Sequence, residues 1–339
     1  MKKILLLFLV ILLAASVYAG DVARKGTTGA EQLLIPVGAR GIATGGSFLA
    51  NVSGLESIYY NPAGLDVTQR TEAMFSYVSY LADINVSYFA VGTSLGDFGS
   101  IGIDLKTLDF GDIPVTTVQF PDGDGTTYSP TYLTLGFTYS KVLTDRISIG
   151  TNLKLITEDI QNTSASGFAV DAGVQYRFSE SLSLAAVVKN IGTNMEYSGT
   201  DLNVNTGIPG TVPGAQDGVY QVVAESFQIP SYFQLALTYN LNLNEKNSLL
   251  FGGAYTANNS LEDIANFGLE YGFMNIFFVR GGYNYLMENS SDYIYGLTFG
   301  AGIDYQLGGD VGFAFDYAFR DVKEFPSANH IFTVKLSFQ

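Results

Sequence analysis

Charged side chains recur at strand-like spacing inside stretches that are otherwise apolar or small. The set is Asp104, Lys106, Lys154, Asp171, Arg177, Lys189, Glu270, Arg280, Asp304, Asp316 and Lys335. With Glu72 added, acids and bases balance. Such a set either forms an ion-pair network in a low-dielectric interior or lines a path for polar solutes. A network that fills an interior is the plainer reading. Covalent catalysis has little to work with, because His330 is the only histidine and there is no cysteine. Ser-His-Asp and Cys-His chemistry and His/Cys metal sites are thereby excluded. His330 sits beside the last strand and reads as a boundary residue. The stretch "PDGDG" at 121–125 starts like a calcium loop but lacks the later ligands, including the twelfth-position Glu, so it reads as a turn. "GARGIATGG" is no dinucleotide fingerprint, because no strand–helix unit frames it. No enzyme, cofactor or metal site is expected.

The elements that carry these charges are strands. From about residue 70 onward, segments of about ten residues alternate in character with period 2, and turn-formers separate them. In "VGFAFDYAF", Val311, Phe313, Phe315, Tyr317 and Phe319 share one face, and Gly312, Ala314, Asp316 and Ala318 share the other. In "YIYGLTFGAGIDYQL", Tyr293, Tyr295, Leu297, Phe299, Ile303 and Tyr305 oppose Gly296, Thr298, Gly300, Gly302, Asp304 and Gln306. Fourteen candidates start near residues 70, 84, 98, 131, 145, 167, 181, 227, 246, 264, 275, 293, 309 and 329. The connections alternate: long at 109–130, 157–167, 191–226, 256–264, 287–292 and 320–328, tight between them. The first, near Ala82, is short where a long one is due. Short turns at one end and longer loops at the other are the signature of an outer-membrane barrel. The composition agrees, with 24 Phe, 22 Tyr, 38 Gly and no Trp. The expected fold is an all-β transmembrane antiparallel barrel. Tyr139, Tyr176, Tyr239 and Tyr305 would form a lower lipid–water girdle, and Tyr255, Tyr283, Tyr285, Tyr293 and Tyr295 an upper one.

Residues 1–19 read as a signal peptide: basic Lys2 and Lys3, an apolar Ile4–Ala15 core, and Val17 and Ala19 before a cleavage site at Gly20. The core is shorter than the ~20 residues a spanning helix needs. Residues 20–69 form a separate N-terminal segment and 70–339 the barrel. Export through the signal peptide places the barrel in the outer membrane of a Gram-negative-type bacterium, in contact with its lipid. The closing strand "HIFTVKLSFQ", with Phe338 beside the C-terminus, resembles the signal read by the outer-membrane assembly machinery.

The formal charge of −15 is carried mostly by the long connections. Asp122, Asp124, Glu196, Asp201 and Asp217 make the outer surface negative. Solubility explains that, as does a docking surface for a basic partner or divalent cations. Nucleic acid is disfavoured because its phosphates would be repelled.

The N-terminal segment is built differently. Ser53-Gly54-Leu55-Glu56 reads as a capping box that starts a short helix. Asn61, before Pro62, is pushed out of helical space and ends it. Gly38, Ala39, Gly45, Gly46, Ala63 and Gly64 have little bulk, so the segment around Arg40, Tyr60 and Asn61 can lie against a wall as a hatch. "PVGARGIATGGSFLANVSGLESIYYNPAGL", from Pro36 to Leu65, closely resembles the N-terminal signature of the PorV/PorQ family, which is related to FadL-type transporters. "FVRGGYNY" at 278–285 and the His-containing last strand extend the match. "NVSGLES" departs from it where the family often has a run of Asp. The resemblance implies a FadL-like barrel with an N-terminal hatch and a role in type IX protein secretion, binding exported or surface proteins.

The leading expectation is therefore a non-enzymatic component of protein export that acts through its outer loops. The rival is a FadL-like channel for long-chain fatty acids or other hydrophobic solutes. The lumen face of the clearest strands is polar, and apolar burial is worth only ~25 cal/mol per Å². A hydrophobic ligand would therefore have to bind in the outer loops or behind the hatch, around Leu49, Tyr59, Tyr60 and Leu65.

Overall fold

The computed structural model describes residues 26–207, 216–288, 293–306 and 311–338. Residues 1–25, where the signal peptide is expected, lie outside these, as do Asp292 and residues 307–310. Fourteen long antiparallel strands close into a barrel. In chain order they are β1 Thr71–Ser79, β2 Asn85–Ser94, β3 Ser100–Asp109, β4 Thr131–Thr144, β5 Ile147–Ile160, β6 Thr163–Arg177, β7 Leu182–Gly192, β8 Tyr232–Asn244, β9 Asn247–Asn258, β10 Ile264–Phe273, β11 Phe277–Leu286, β12 Tyr295–Gln306, β13 Val311–Val322 and β14 Asn329–Phe338. Each pairs with its sequence neighbours. β1 closes the ring on β14, in a register running from Thr71↔Phe338 to Ser79↔His330. The closed ring leaves no open barrel edge among the described residues.

The alternation read from the sequence fixes the two faces. Phe75, Phe89, Phe137, Phe251 and Phe299 are exposed on the outside, where a bilayer would cover them. Inward positions are small, polar or buried. Glu72, left unassigned by the pattern, points inward with Met74, Ser76 and Val78.

One connection differs from its sequence reading. The segment 157–167 is no long loop. β5 and β6 run on for 14 and 15 residues, beyond the ~9–11 that span a bilayer. Only Gln161 and Asn162 turn the chain, with Gln161 at φ 54°. The Ser/Thr-rich sequence keeps its alternation past the membrane, so the ladder continues there. The 193–231 connection folds back on the barrel mouth. Met195 and Phe227 bridge its two ends, and Asn203–Thr206 pairs with Gly218–Gln221.

Residues 26–69 lie inside the barrel. The segment begins at the loop end, where Thr28 bridges Gln228. It passes a 3₁₀ turn at Glu31–Leu34, helix α1 Ala39–Ala43, helix α2 Glu56–Tyr60 and a 3₁₀ turn at Pro62–Val67, and reaches β1 at the turn end. Three apolar clusters join it to the wall; in one of them Ile42, Leu55, Ile58 and Leu65 pack on Met74, Val78, Val86, Tyr88 and Ile331.

Candidate functional site

Lumen glycines let the hatch approach the wall. A Cβ at Gly150 would lie 2.3 Å from the Pro62 backbone, one at Gly173 2.1 Å from Asn61 Oδ1, and one at Gly268 2.2 Å from Ser47 Oγ. Contacts under 3 Å are closer than packed atoms allow, so the hatch is seated on bare backbone. Gly38 takes φ 85°, and a Cβ there would also meet Glu56 Oε1 at 2.6 Å. Gly45 and Gly46 take φ of 62° and 72° as the chain leaves α1, a conformation that costs other residues about 1 kcal/mol or more.

The hatch motif closes on itself and on the wall. Asn61 is extended and ends α2; its Oδ1 accepts from Ala63 N, and its Nδ2 donates to Leu49 O and Val174 O. Ser140 Oγ donates to Ala63 O, Gly64 N to Asn61 O, and Ala39 N to Thr333 Oγ1. Ser53 does not cap α2, whose N-cap position is Leu55. The barrel supplies the missing acceptor instead: Leu55 N donates to Glu72 Oε2 at 2.9 Å. Glu56 turns away to accept from Gly41 N. Burial, reinforced by nearby Asp316, pushes the Glu56 carboxyl above its usual range against the pull of Arg40 and Lys335.

The strand charges form two clusters. In the first, Arg40 meets Glu270 through both Nε and Nη2 at 2.9 Å. Arg280 meets Glu270 and Asp316 at 2.5 Å each. This cluster fastens α1 to β10, β11 and β13. In the second, Asp171 lies 2.6 Å from Lys154 and 3.8 Å from Lys189, and Asp104 accepts from Asn152, the ladder partner of Asp171. Two of its lysines hold hatch carbonyls: Lys106 Nζ donates to Ile35 O at 2.9 Å, and Lys189 Nζ donates to Tyr59 O. Asn190, which the sequence reading missed, completes the cluster. A register shift between β6 and β7 gives it φ 57° and turns it inward, where it bonds Asp171, Lys154 and Pro230. Arg177 and Asp304 join neither cluster; both sit exposed near the turn-end termini of their strands. Lys335 is half-buried.

Above the hatch the lumen opens into a cavity of about 810 Å³ on the loop side. Tyr59 and Tyr60 form its floor, 5.0 Å apart edge to face. Lys189 stands 3.9 Å from the Tyr59 ring centroid. Leu49 and Leu65, grouped with these tyrosines in the sequence reading, lie outside the lining and pack against barrel residues. The walls are Ile84, Leu108, Phe110, Tyr132, Tyr232 and Tyr295, and the long 193–231 connection adds Tyr197 and Phe227. The volume and the mostly apolar lining suit a small hydrophobic ligand.

Two walls were misassigned by pattern. Tyr293 and Tyr295 line this cavity rather than a lipid girdle. β12 and β13 slip register between Tyr295 and Thr298, and such an irregularity moves a side chain to the other face. Tyr295 OH lies 2.8 Å from Tyr80 OH. Tyr239, Tyr283, Tyr285 and Tyr305 do point outward. Arg320 also lines the cavity, although the sequence reading put it in a loop. The detectable signal was parity, since it continues the inward series Gly312, Ala314, Asp316 and Ala318.

The outer acids are exposed. Asp124 bonds Thr126 through both N and Oγ1, which holds its carboxyl below the usual range. Asp201 accepts from Asn162. Asp122, Glu196 and Asp217 face solvent. No metal-binding group of His, Cys, Asp and Glu is found among the described residues.

Solved structures share this barrel fold. The monoaromatic hydrocarbon channel CymD superposes with a TM-score of 0.56 at 11% identity, covering 90% of this chain and 98% of that one. The Ralstonia pickettii toluene transporter TbuX gives 0.55 at 12%, with 89% and 98% covered. A Pseudomonas aeruginosa FadL homologue gives 0.54 at 12%, with 90% and 98% covered. No protein-family model and no curated protein matches the sequence. At these identities the likeness is one of fold: the chain has the FadL-like barrel fold.

Proposed function

We propose that this chain is an outer-membrane channel for hydrophobic solutes, exported to the outer membrane of a Gram-negative-type bacterium, and that the aromatic cavity above the hatch is its binding site. The observation that carries this reading is the cavity of about 810 Å³, walled by tyrosine, phenylalanine and aliphatic side chains and floored by Tyr59 and Tyr60. A polar lumen gives an apolar solute nothing to bind, whereas this wall offers it a surface worth ~25 cal/mol per Å² buried. The solved barrels of the same fold, a monoaromatic hydrocarbon channel and a toluene transporter, support it. The export reading rests on the N-terminal motif and on exposed acids such as Asp122 and Asp217; no comparison favours it.

The test is uptake. The protein is expressed in a Gram-negative host deprived of its own hydrophobic-solute channel, and uptake of labelled toluene and of labelled decanoate is followed. Uptake of either should rise, and should fall back when Leu108→Trp or Ile84→Trp fills the cavity. No uptake of either, together with co-purification of an exported protein through the loops, would overturn the reading in favour of export.

A further inference from the structure

We propose that the barrel has a second site, at the turn end of the lumen, where Arg146 and Arg177 together hold a phosphate group. A cavity of about 550 Å³ lies there. It shares no lining residue with the aromatic cavity, so the proposal does not depend on the hydrophobic-solute reading. The hatch segment 50–53 lines one side of it, and its charged lining is Arg40, Asp145, Arg146 and Arg177.

The ladder sets two of these arginines against each other. β5 and β6 pair Ser148 with Gln175 and Ile147 with Tyr176. The next step brings Arg146 opposite Arg177, whose N donates to Arg146 O at 2.7 Å. Arg177 continues the inward series Asp171, Gly173 and Gln175, and Arg146 that of Ser148, Gly150 and Asn152. Like charges directly opposite on one face of a sheet repel, with Cβ atoms about 5 Å apart. Arg40 is committed elsewhere, because Glu270 takes its Nε and Nη2. Asp145 lines the same cavity, and Glu180 lines a smaller one beside Arg177. Neither acid pairs with Arg146 or Arg177, which make no ion pair among the described residues.

Two guanidiniums side by side offer two planar forks. One fork is enough to occupy both oxygens of a carboxylate, whereas a tetrahedral phosphate has oxygens for two. A phosphate monoester also carries about −1.5 to −2 charges at pH 7, which answers two cations at once. Ser53, which does not cap α2, and Ser183 add hydroxyls to the lining. Both arginines belong to the inward series, and the strand wall stands between them and lipid. The phosphate is therefore a soluble one, either the free ion or the ester of a small polar molecule.

The experiment titrates inorganic phosphate and glycerol phosphate, at neutral pH and low salt, into the purified chain in a neutral detergent, with acetate as the monovalent control. At least one phosphate probe should saturate a single site, and acetate should bind at least tenfold more weakly. Arg146→Gln and Arg177→Gln should each weaken that binding about tenfold, the worth of charge-assisted hydrogen bonds. Arg177→Lys should weaken it less, because it keeps the charge and loses the fork. Lys246→Gln, at a turn outside the cavity, should not change it. Bound phosphate should also raise the urea midpoint of the wild type and leave that of the double Gln variant unmoved. The tighter of the two probes tells free ion from ester. Both arginines are exposed, so the variants should keep their folded gel migration; should the double variant not fold, the single ones decide. No saturable binding of either probe, acetate binding as tight as phosphate, or binding that survives the Gln substitutions would overturn the proposal and leave the hydrophobic-solute reading untouched.

Discussion

The two ends of the lumen are built by opposite means. Below the cavity the hatch lies on bare glycine backbone, and its buried charges are paired: Arg40 and Arg280 with Glu270 and Asp316, Lys154 with Asp171. At the loop end bulky rings stand around open space, and Arg320 bonds Asn329 and pairs with no acid among the described residues. The difference teaches how one strand repeat makes a plug and a pocket. Glycine at an inward position admits a second chain, and tyrosine at an inward position keeps it out.

The comparison is broken most severely by Asp171→Ala. Lys154 and Lys189 would be left buried without their carboxylate, at a cost of about 3–5 kcal/mol. The urea midpoint of the folded band, followed by heat-modifiable gel migration, should fall accordingly. A shift within error would mean that the cluster does not hold the hatch.

A side chain at the glycine seat comes next. Gly150→Val should collide with Pro62 and cost about 1–3 kcal/mol. It should also loosen the hatch, seen as proteolytic cleavage within 26–69 or as conductance in a planar bilayer. Neither is expected of Gly253→Val, where nothing lies within 4 Å of the Cβ.

Filling the pocket should separate binding from folding. The chain has no tryptophan, so Leu108→Trp is both a plug and a unique fluorophore. The barrel should remain folded while solute affinity falls about tenfold, the worth of ~1.4 kcal/mol. Unchanged affinity would place the site elsewhere.

The smallest effect belongs to Glu56. Burial raises its carboxyl pKa, so its stabilising contribution is full below the unfolded value and is lost as pH rises through the folded one. Glu56→Gln keeps the acceptor for Gly41 N and removes the charge. The variant should be slightly more stable than wild type at neutral pH and converge with it below about pH 4. The opposite sign would show that the attraction to Arg40 outweighs burial.

The barrel was legible because period-2 alternation and alternating connection lengths are local properties. All strand starts read from the sequence fall within about five residues of those observed, including Ile264 and Asn329. Asn61-Pro62 announced a helix end by its own backbone chemistry. The cavity was not legible in the same way, because its walls depend on register. The irregularity beside Tyr295 turned a lipid-side tyrosine into a pocket wall, and the shift near Asn190 added a polar group to the charged cluster. The capping box failed for a related reason. Glu72, on the first strand of the barrel, supplies the acceptor expected of Ser53.

The central claim is that the loop-end cavity is the solute site, and the most direct measurement locates a solute in it. Crystals soaked with a brominated hydrophobic compound such as bromobenzene would be examined by anomalous diffraction. A bromine peak among Tyr59, Leu108, Tyr132 and Arg320 is the result the account predicts. Bromine only on the outer, lipid-side surface, with the cavity holding ordered water alone, would contradict it.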